Sequence, residues 1–389
     1  LWWPDTGRVE RSVSFVESNG VTRVNLPLEP SGSVFVVFRK QLGGLDPVVA
    51  LRHDGKLQWS LTQPAPVAAP AAIKIVHATY GVPGDPARLR DVTKKLQTLV
   101  DDGETSIPVA DMARGGDPAF KVVKTLTVAY AEGGRLRKFV GKDKDVLKLA
   151  SANQADSGFM ELAAEIGAAG QGMVLSARQT GSYALQTAGG ATKTVNVPAL
   201  PVAPEIAGPW SVHFAPAAGG PGDVTFDRLD DWSQRAEPGI KYYSGTAVYQ
   251  TTFKVAAKPA NTQWLLDLGR VEVMAEVTLN GKYLGILWKT PYQVDVTDAL
   301  KTGENHLEVK AVNLWINRQI GDEFLPEDSD RTAKGTLNSW PDWLQQGKSS
   351  PTGRISFSSW RLWKKGDQLR PSGLLGPVRL IPVTQVPVP

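Results

Sequence analysis

Short runs of alternating apolar and polar residues, cut by Gly, Pro and Asn, leave a chain few options except to pair strands. From residue 205 onward the runs recur with a turn signal about every 10 residues, the spacing of an all-β sandwich or barrel. They lie at 247–253, 262–268, 275–279, 293–296, 306–312 and 378–381. Asn280-Gly281 between two of them marks a hairpin, because both central positions of that turn favour a left-handed backbone. Helical spacing is not read anywhere in this stretch, and the pattern predicts a sandwich of jelly-roll type.

The first 200 residues divide differently. Residues 21–26 alternate, 33–38 form a β-branched and aromatic run behind Pro30-Ser31-Gly32, and 172–177, 182–185 and 192–197 also read as strands. Between these sets, 73–78 reads as a strand, and the apolar spacing at Val92, Leu96, Leu99 and Val100 predicts one short helix with Asp91 as its N-cap. Residues 122–129 and 136–140 read as a strand pair around Glu132-Gly133-Gly134. The Pro/Ala-rich stretches 62–70 and 198–204 read as extended linkers. The expected organisation is an immunoglobulin-like β-sandwich from 1–70 with 166–204, an inserted small β-rich or α+β domain at 71–165, and a jelly roll at 205–389. The fold class is predominantly all-β.

Composition removes whole classes of function. With no cysteine among 389 residues, disulfides, thiolate metal sites and cysteine nucleophiles are excluded. The four histidines, His53, His77, His213 and His306, have no metal-ligand spacing, so zinc is not expected and calcium, which needs only oxygen ligands, is the metal these residues suit. The net charge of +4 belongs to one segment: 71–150 carries 14 Lys and Arg against 10 Asp and Glu, whereas 205–389 carries 20 of each. Its basic residues are scattered without interleaved aromatics, so no nucleic-acid partner is expected. No apolar run approaches the roughly 18 residues of a membrane helix, and no membrane partner is expected. No G-x-S-x-G is present, and Gly219-Gly220-Pro221-Gly222 lacks the lysine of a phosphate loop.

Residues 276–288 (EVTLNGKYLGILW), 291–297 (PYQVDVT) and 303–309 (GENHLEV) resemble the galactose-binding-like, sugar-binding jelly roll of large glycoside hydrolases. Residues 312–322 (VNLWINRQIGD) and 371–378 (PSGLLGPV) narrow the resemblance to the C-terminal region of α-L-rhamnosidase-like proteins of glycoside hydrolase family 106. Residues 2–7 and 33–40 resemble the sandwich preceding that jelly roll. The likeness covers 1–60 and 170–384, and 71–150 departs from it as an insert. In that family the chemistry belongs to a barrel preceding the matched region. The resemblance therefore implies an absent N-terminal catalytic domain and no catalytic residues to carry over, and a start at Leu1 without a signal peptide reads as internal. It also implies an oligosaccharide ligand, no required cofactor, and a periplasmic or secreted full-length protein.

Glycoside hydrolysis needs two carboxyl groups about 5 to 9 Å apart and no cofactor. Asp322, Glu323, Glu327, Asp328 and Asp330 follow what reads as a strand ending at Asn317-Arg318. Glu323 and Glu327 are the candidate catalytic pair, and Asp322, Asp328 and Asp330 are candidate calcium ligands. The same cluster could simply face water. Arg318 is expected to fix the loop by pairing with Asp322. Sugar rings present an apolar face to aromatic side chains and hydroxyls to polar ones, so Trp288, Trp340, Trp343, Trp360 and Tyr242, with Asn317 and Arg318, are the candidate sugar-binding residues. Trp210, Trp264 and Trp315 are expected in the core. Three functions fit: a non-catalytic sugar-binding region of a glycoside hydrolase, an autonomous exo-acting glycosidase using the 322–330 loop, or structural spacer modules.

Overall fold

The computed structural model describes residues 1–389 except 30, 40–43, 63–72, 103, 105, 133–134, 150–161, 171 and 203–204. The chain forms two compact units, Leu1–Thr62 with Leu162–Pro389, and Gln63–Glu161. The Pro/Ala stretch expected as a linker at 62–70 falls almost wholly outside the described residues, as does Gly133-Gly134.

In the larger unit a six-stranded antiparallel sheet runs in the order Gly222–Phe226, Trp210–Phe214, Thr246–Val255, Gly303–Val312, Met274–Leu279, Lys282–Leu287. Its inward positions alternate strictly: Asn305, Leu307, Val309 and Ala311 are buried along one strand and Ala275, Val277 and Leu279 along its neighbour. They meet Trp264, Leu266 and Leu380 of a five-stranded sheet in a single core. That second sheet runs in the order Ala164–Ala169, Gly172–Ala177, Arg379–Val388, Thr262–Asp267, Gln293–Asp295. Mostly β-stranded sheets facing one another over an apolar core make this an all-β sandwich.

One strand serves two cores. Residues 379–384 of Arg379–Val388 pair with Thr262–Asp267, and residues 384–388 pair with 173–177. Leu380 lies in the core just described, whereas Val386 and Val388 pack into another with Leu51, Leu175, Tyr183, Leu185 and Val195. The opposing layer there is a four-stranded sheet, Thr192–Val197, Gly181–Thr187, Val48–His53, Lys56–Ser60. Sheet pairing thus crosses residue 205, where the sequence reading places a boundary.

The smaller unit has a four-stranded sheet, Arg135–Lys142, Thr125–Glu132, Lys74–Gly81, Leu89–Asp91. The helix Thr93–Asp101 packs Leu96 into its core with Tyr80, Met112, Val128 and Leu147. Val92 occupies the position before the helix, and Asp91, one residue earlier, accepts from Thr93 N at 2.8 Å.

Two sequence expectations are corrected. Residues 33–38 form no strand but a single bridge, Trp2 with Phe35, because no neighbouring ladder takes up the rest of the run. The stretch expected to end a strand at Asn317-Arg318 is instead the helix Ile316–Asp322. Seven residues are too few to show a helical period, and tertiary contacts hold it.

An aromatic cluster fills the larger core. Trp232 lies edge-on to Phe214 at 5.3 Å and to Tyr243 at 5.7 Å, and its Nε1 donates to Tyr249 Oη at 2.5 Å. Gly373 holds φ +103° with the Trp232 indole against its Cα, where any Cβ would collide with the ring. Gly373→Ala is therefore expected to cost at least about 1–3 kcal/mol, through overpacking and a disallowed backbone, read as a lowered urea midpoint against the parent chain.

Candidate functional site

After the strand Gly303–Val312, the segment to residue 372 forms little regular structure, so side chains must satisfy its buried polar groups. Asn313 accepts from Gly245 N at 2.9 Å and donates to Tyr243 O at 2.9 Å. Asn317, 1% exposed, donates to Arg370 O and Ser372 Oγ and accepts from Arg370 N at 2.8 Å. Ser244 Oγ donates to Leu314 O and accepts from Arg318 N. This network ties the start of the segment to its end.

Arg318 Nε stands 3.0 Å from Asp322 Oδ1, but the two atoms are off the line of a hydrogen bond. The guanidinium is packed so closely against Gly219 and Gly321 that a Cβ on Gly321 would stand 2.7 Å from Nη2. Asp322 Oδ2 accepts from Ile355 N at 3.0 Å and from Ser356 N and Oγ at 2.7 Å each. Asn317 and Arg318, candidates for sugar contact, are thus buried: the Asn317 amide is committed to Arg370 and Ser372, and the Arg318 guanidinium stands in an ion pair with Asp322.

The next two carboxylates are held by arginines. Arg354 donates to Glu323 at 2.8 Å and to the carbonyls of Pro326 and Leu325. Arg361 lies 3.3 Å from Glu323 and 2.5 Å from Glu327. The hydrogen bond from Arg361 lowers the Glu327 carboxyl most, partial burial opposes it, and the charges of Arg361, Arg354 and Arg331 hold it below the usual carboxylate range. A general acid requires the opposite shift. The cleft between Asp322, Glu323, Asp328, Arg331, Arg354 and Arg361 has a volume of about 20 Å³, room for about one water and not for a sugar ring. The expectation of Glu323 and Glu327 as a catalytic pair therefore meets a clamp of guanidinium groups that already occupies both carboxylates.

Asp328 accepts from Ser350 Oγ at 2.7 Å, and Asp330 from Asn338 Nδ2 at 3.0 Å. Asp322, Asp328 and Asp330 do not converge as calcium ligands: among the described residues no group of three metal-ligating side chains forms.

The aromatic candidates separate into two kinds. Trp343 lies edge-on to Phe357 at 5.7 Å and donates Nε1 to Asp328 O, so it is structural. Trp340 packs one side on Phe357 at 5.9 Å yet is 58% exposed, and Trp360, 57% exposed, donates Nε1 to Lys334 O. Arg331 anchors this loop through Ser329 Oγ, Gly335 O and Ser358 O, with its guanidinium 5.5 Å from the Phe357 ring centroid. Tyr242, half-buried, packs on Phe324 and on the backbone of Gly321. Trp288 is exposed beyond the edge strand Lys282–Leu287 and makes no ring contact with the loop among the described residues. Trp210 and Trp264 are buried. Trp315 is not; it is 54% exposed at the start of the short helix, where no opposing sheet covers it.

Sequence reasoning missed Arg331, Arg354, Arg361 and Phe357. Each acts on partners distant in the chain, and no local spacing signals that.

Residues 233–343 match the family described as glycosyl hydrolase 2 galactose-binding domain-like. A curated relative from Formosa agariphila, which carries the provisional name of a beta-glucuronidase, is 39% identical over 318 residues. That match takes in 79% of this chain and 26% of the relative, so the chain spans about a quarter of its length. Among solved structures, a rhamnosidase from Novosphingobium sp. PP1Y is similar at 23% identity and a TM-score of 0.39, over 62% of this chain and 27% of its own. A Ruminococcus gnavus beta-glucuronidase is similar at 18% identity and a TM-score of 0.31, over 47% of this chain and 28% of its own. The domain match and the curated relative make this a glycoside hydrolase-related protein with a galactose-binding-like domain.

A group whose pKa is depressed by folding stabilises the fold above its unfolded pKa and ceases to as pH falls through the folded one. Glu327→Gln is accordingly expected to lower the urea midpoint at pH 7, and the gap from the parent chain should close as pH falls below about 4. Paired urea melts across that range read it out.

Proposed function

We propose that the chain is a non-catalytic, sugar-recognising region of a glycoside hydrolase-related protein, with Trp340 and Trp360 as its stacking platform. The observation that supports this most is the pairing of two exposed indoles with a loop that the half-buried Arg331 holds in place through Gly335 O and Ser358 O. An indole fixed from behind loses little entropy on stacking against a pyranose. The finer reading, an α-L-rhamnosidase-like protein, rests on the sequence resemblance. The name of the Formosa agariphila relative adds glucuronides to the ligands worth testing.

The carboxylate clamp supports recognition over bond cleavage, since Glu323 and Glu327 are already bound to Arg354 and Arg361. No cofactor or calcium is proposed for this site.

Calorimetric titration with rhamnose- and glucuronate-containing oligosaccharides tests the reading. Trp340→Ala and Trp360→Ala should each weaken binding about tenfold, the equivalent of roughly 1.4 kcal/mol, without moving the thermal midpoint. The chain alone should not turn over nitrophenyl rhamnosides or glucuronides. Turnover that disappears in Glu323→Gln or Glu327→Gln would instead establish an autonomous glycosidase, and binding unaffected by either tryptophan would remove the platform.

A further inference from the structure

The smaller unit spends buried charge on a turn that points apolar side chains at water. Lys124, 7% exposed, donates its Nζ to Asp117 at 3.1 Å and to Ala119 O, and lies 3.7 Å from Asp143. Asp143 also accepts from Lys124 N at 2.9 Å and from Tyr80 Oη at 2.6 Å. Asp117 accepts from Ala119 N, and Val122 N closes on Ala119 O. Between these anchors Lys121 adopts φ +59°, a left-handed conformation that side chains other than glycine's disfavour.

This turn presents Phe120 at 78% exposure and Val123 at 66%, with Ala119 buried beneath. The Lys121 ammonium sits 5.5 Å from the Phe120 ring centroid. The Asp143 contacts bring the turn after Arg135–Lys142, with the exposed side chains of Lys142 and Lys144, alongside the same end of the sheet. The carboxylates nearest by are already engaged: Asp117 and Asp143 by Lys124, Asp145 by Lys142 N. What faces outward is an aromatic ring with the Lys121 ammonium beside it, on a turn tied through Asp143 to the one that carries the exposed Lys142 and Lys144, for which no ion pair is found among the described residues. The segment 71–150 also carries the protein's whole excess of cations.

We propose that the 117–124 turn is a second ligand site, specific for an acidic polysaccharide built from uronic acids. A uronate residue has the complementary pair of features, an apolar ring face for Phe120 and a carboxylate for Lys121, Lys142 and Lys144. The choice of a glycan over other polyanions rests on the glycoside hydrolase relationship, though not on the tryptophan platform.

Affinity electrophoresis of the full chain through gels containing polygalacturonate, or neutral dextran as control, tests it. Polygalacturonate should retard the protein and dextran should not. Phe120→Ser and a Lys142→Ala/Lys144→Ala double variant should each lose at least about fivefold in affinity, a loss of roughly 1 kcal/mol. About 0.5 M salt should abolish the retardation through screening. Both variants alter exposed side chains, and an unchanged thermal midpoint verifies the fold. Trp340→Ala should leave polygalacturonate binding intact, which separates this site from the platform. No retardation, equal retardation of Phe120→Ser, loss in Trp340→Ala, or sedimentation with phosphatidylglycerol vesicles in place of glycan binding would each overturn the proposal.

Discussion

Between residues 313 and 372 the protein does without a backbone ladder, and buried side-chain hydrogen bonding takes the ladder's place. Arg331 and Arg354 between them donate to four main-chain carbonyls, at Gly335, Ser358, Leu325 and Pro326. Arginine suits this because its guanidinium is a rigid fork of five donors that remains charged in any protein environment. Asp322 supplies the complementary service by accepting two backbone amides. Removing one partner from such a network leaves the other buried and unpaired, so every member depends on every other.

That architecture decides what the acidic residues can do. Glu327, whose proton affinity the Arg361 hydrogen bond lowers, is poorly suited to act as an acid at neutral pH, and Glu323 already receives a guanidinium bond from Arg354. Glu323 and Glu327, paired with Arg354 and Arg361, tie this part of the loop to residues some thirty positions further along the chain. The exposed tryptophans it carries gain a fixed orientation from charges that would otherwise be candidates for chemistry.

The strands of the galactose-binding-like core were legible in the sequence because each has one face to water and one to the core, and period-two alternation records that directly. Asn280 with its φ of +53° followed by Gly281 marks its hairpin as the residue types require. The run at 33–38 was misread for a reason of the same kind: composition reports willingness to be a strand, and only a partner makes one. In the loop, the acidic residues were visible and their fate was not. Glu323 lies 31 residues from Arg354 in the chain, and no periodicity connects them. Trp315 and Trp264 look alike in sequence. Their burial is set by whether a second layer passes over them.

The strand Arg379–Val388, which lies in two cores, has a consequence for anyone dividing this protein. A piece cut at 205 to isolate the galactose-binding-like fold would keep the whole strand yet strip Gly172–Ala177 from its last five residues. Val386 and Val388 would lose their packing, and a row of amides and carbonyls beside two valines would face solvent. An unpaired edge of that kind recruits other copies. Aggregation of such a fragment would report a severed sheet and would say nothing about the soundness of the fold that was sought.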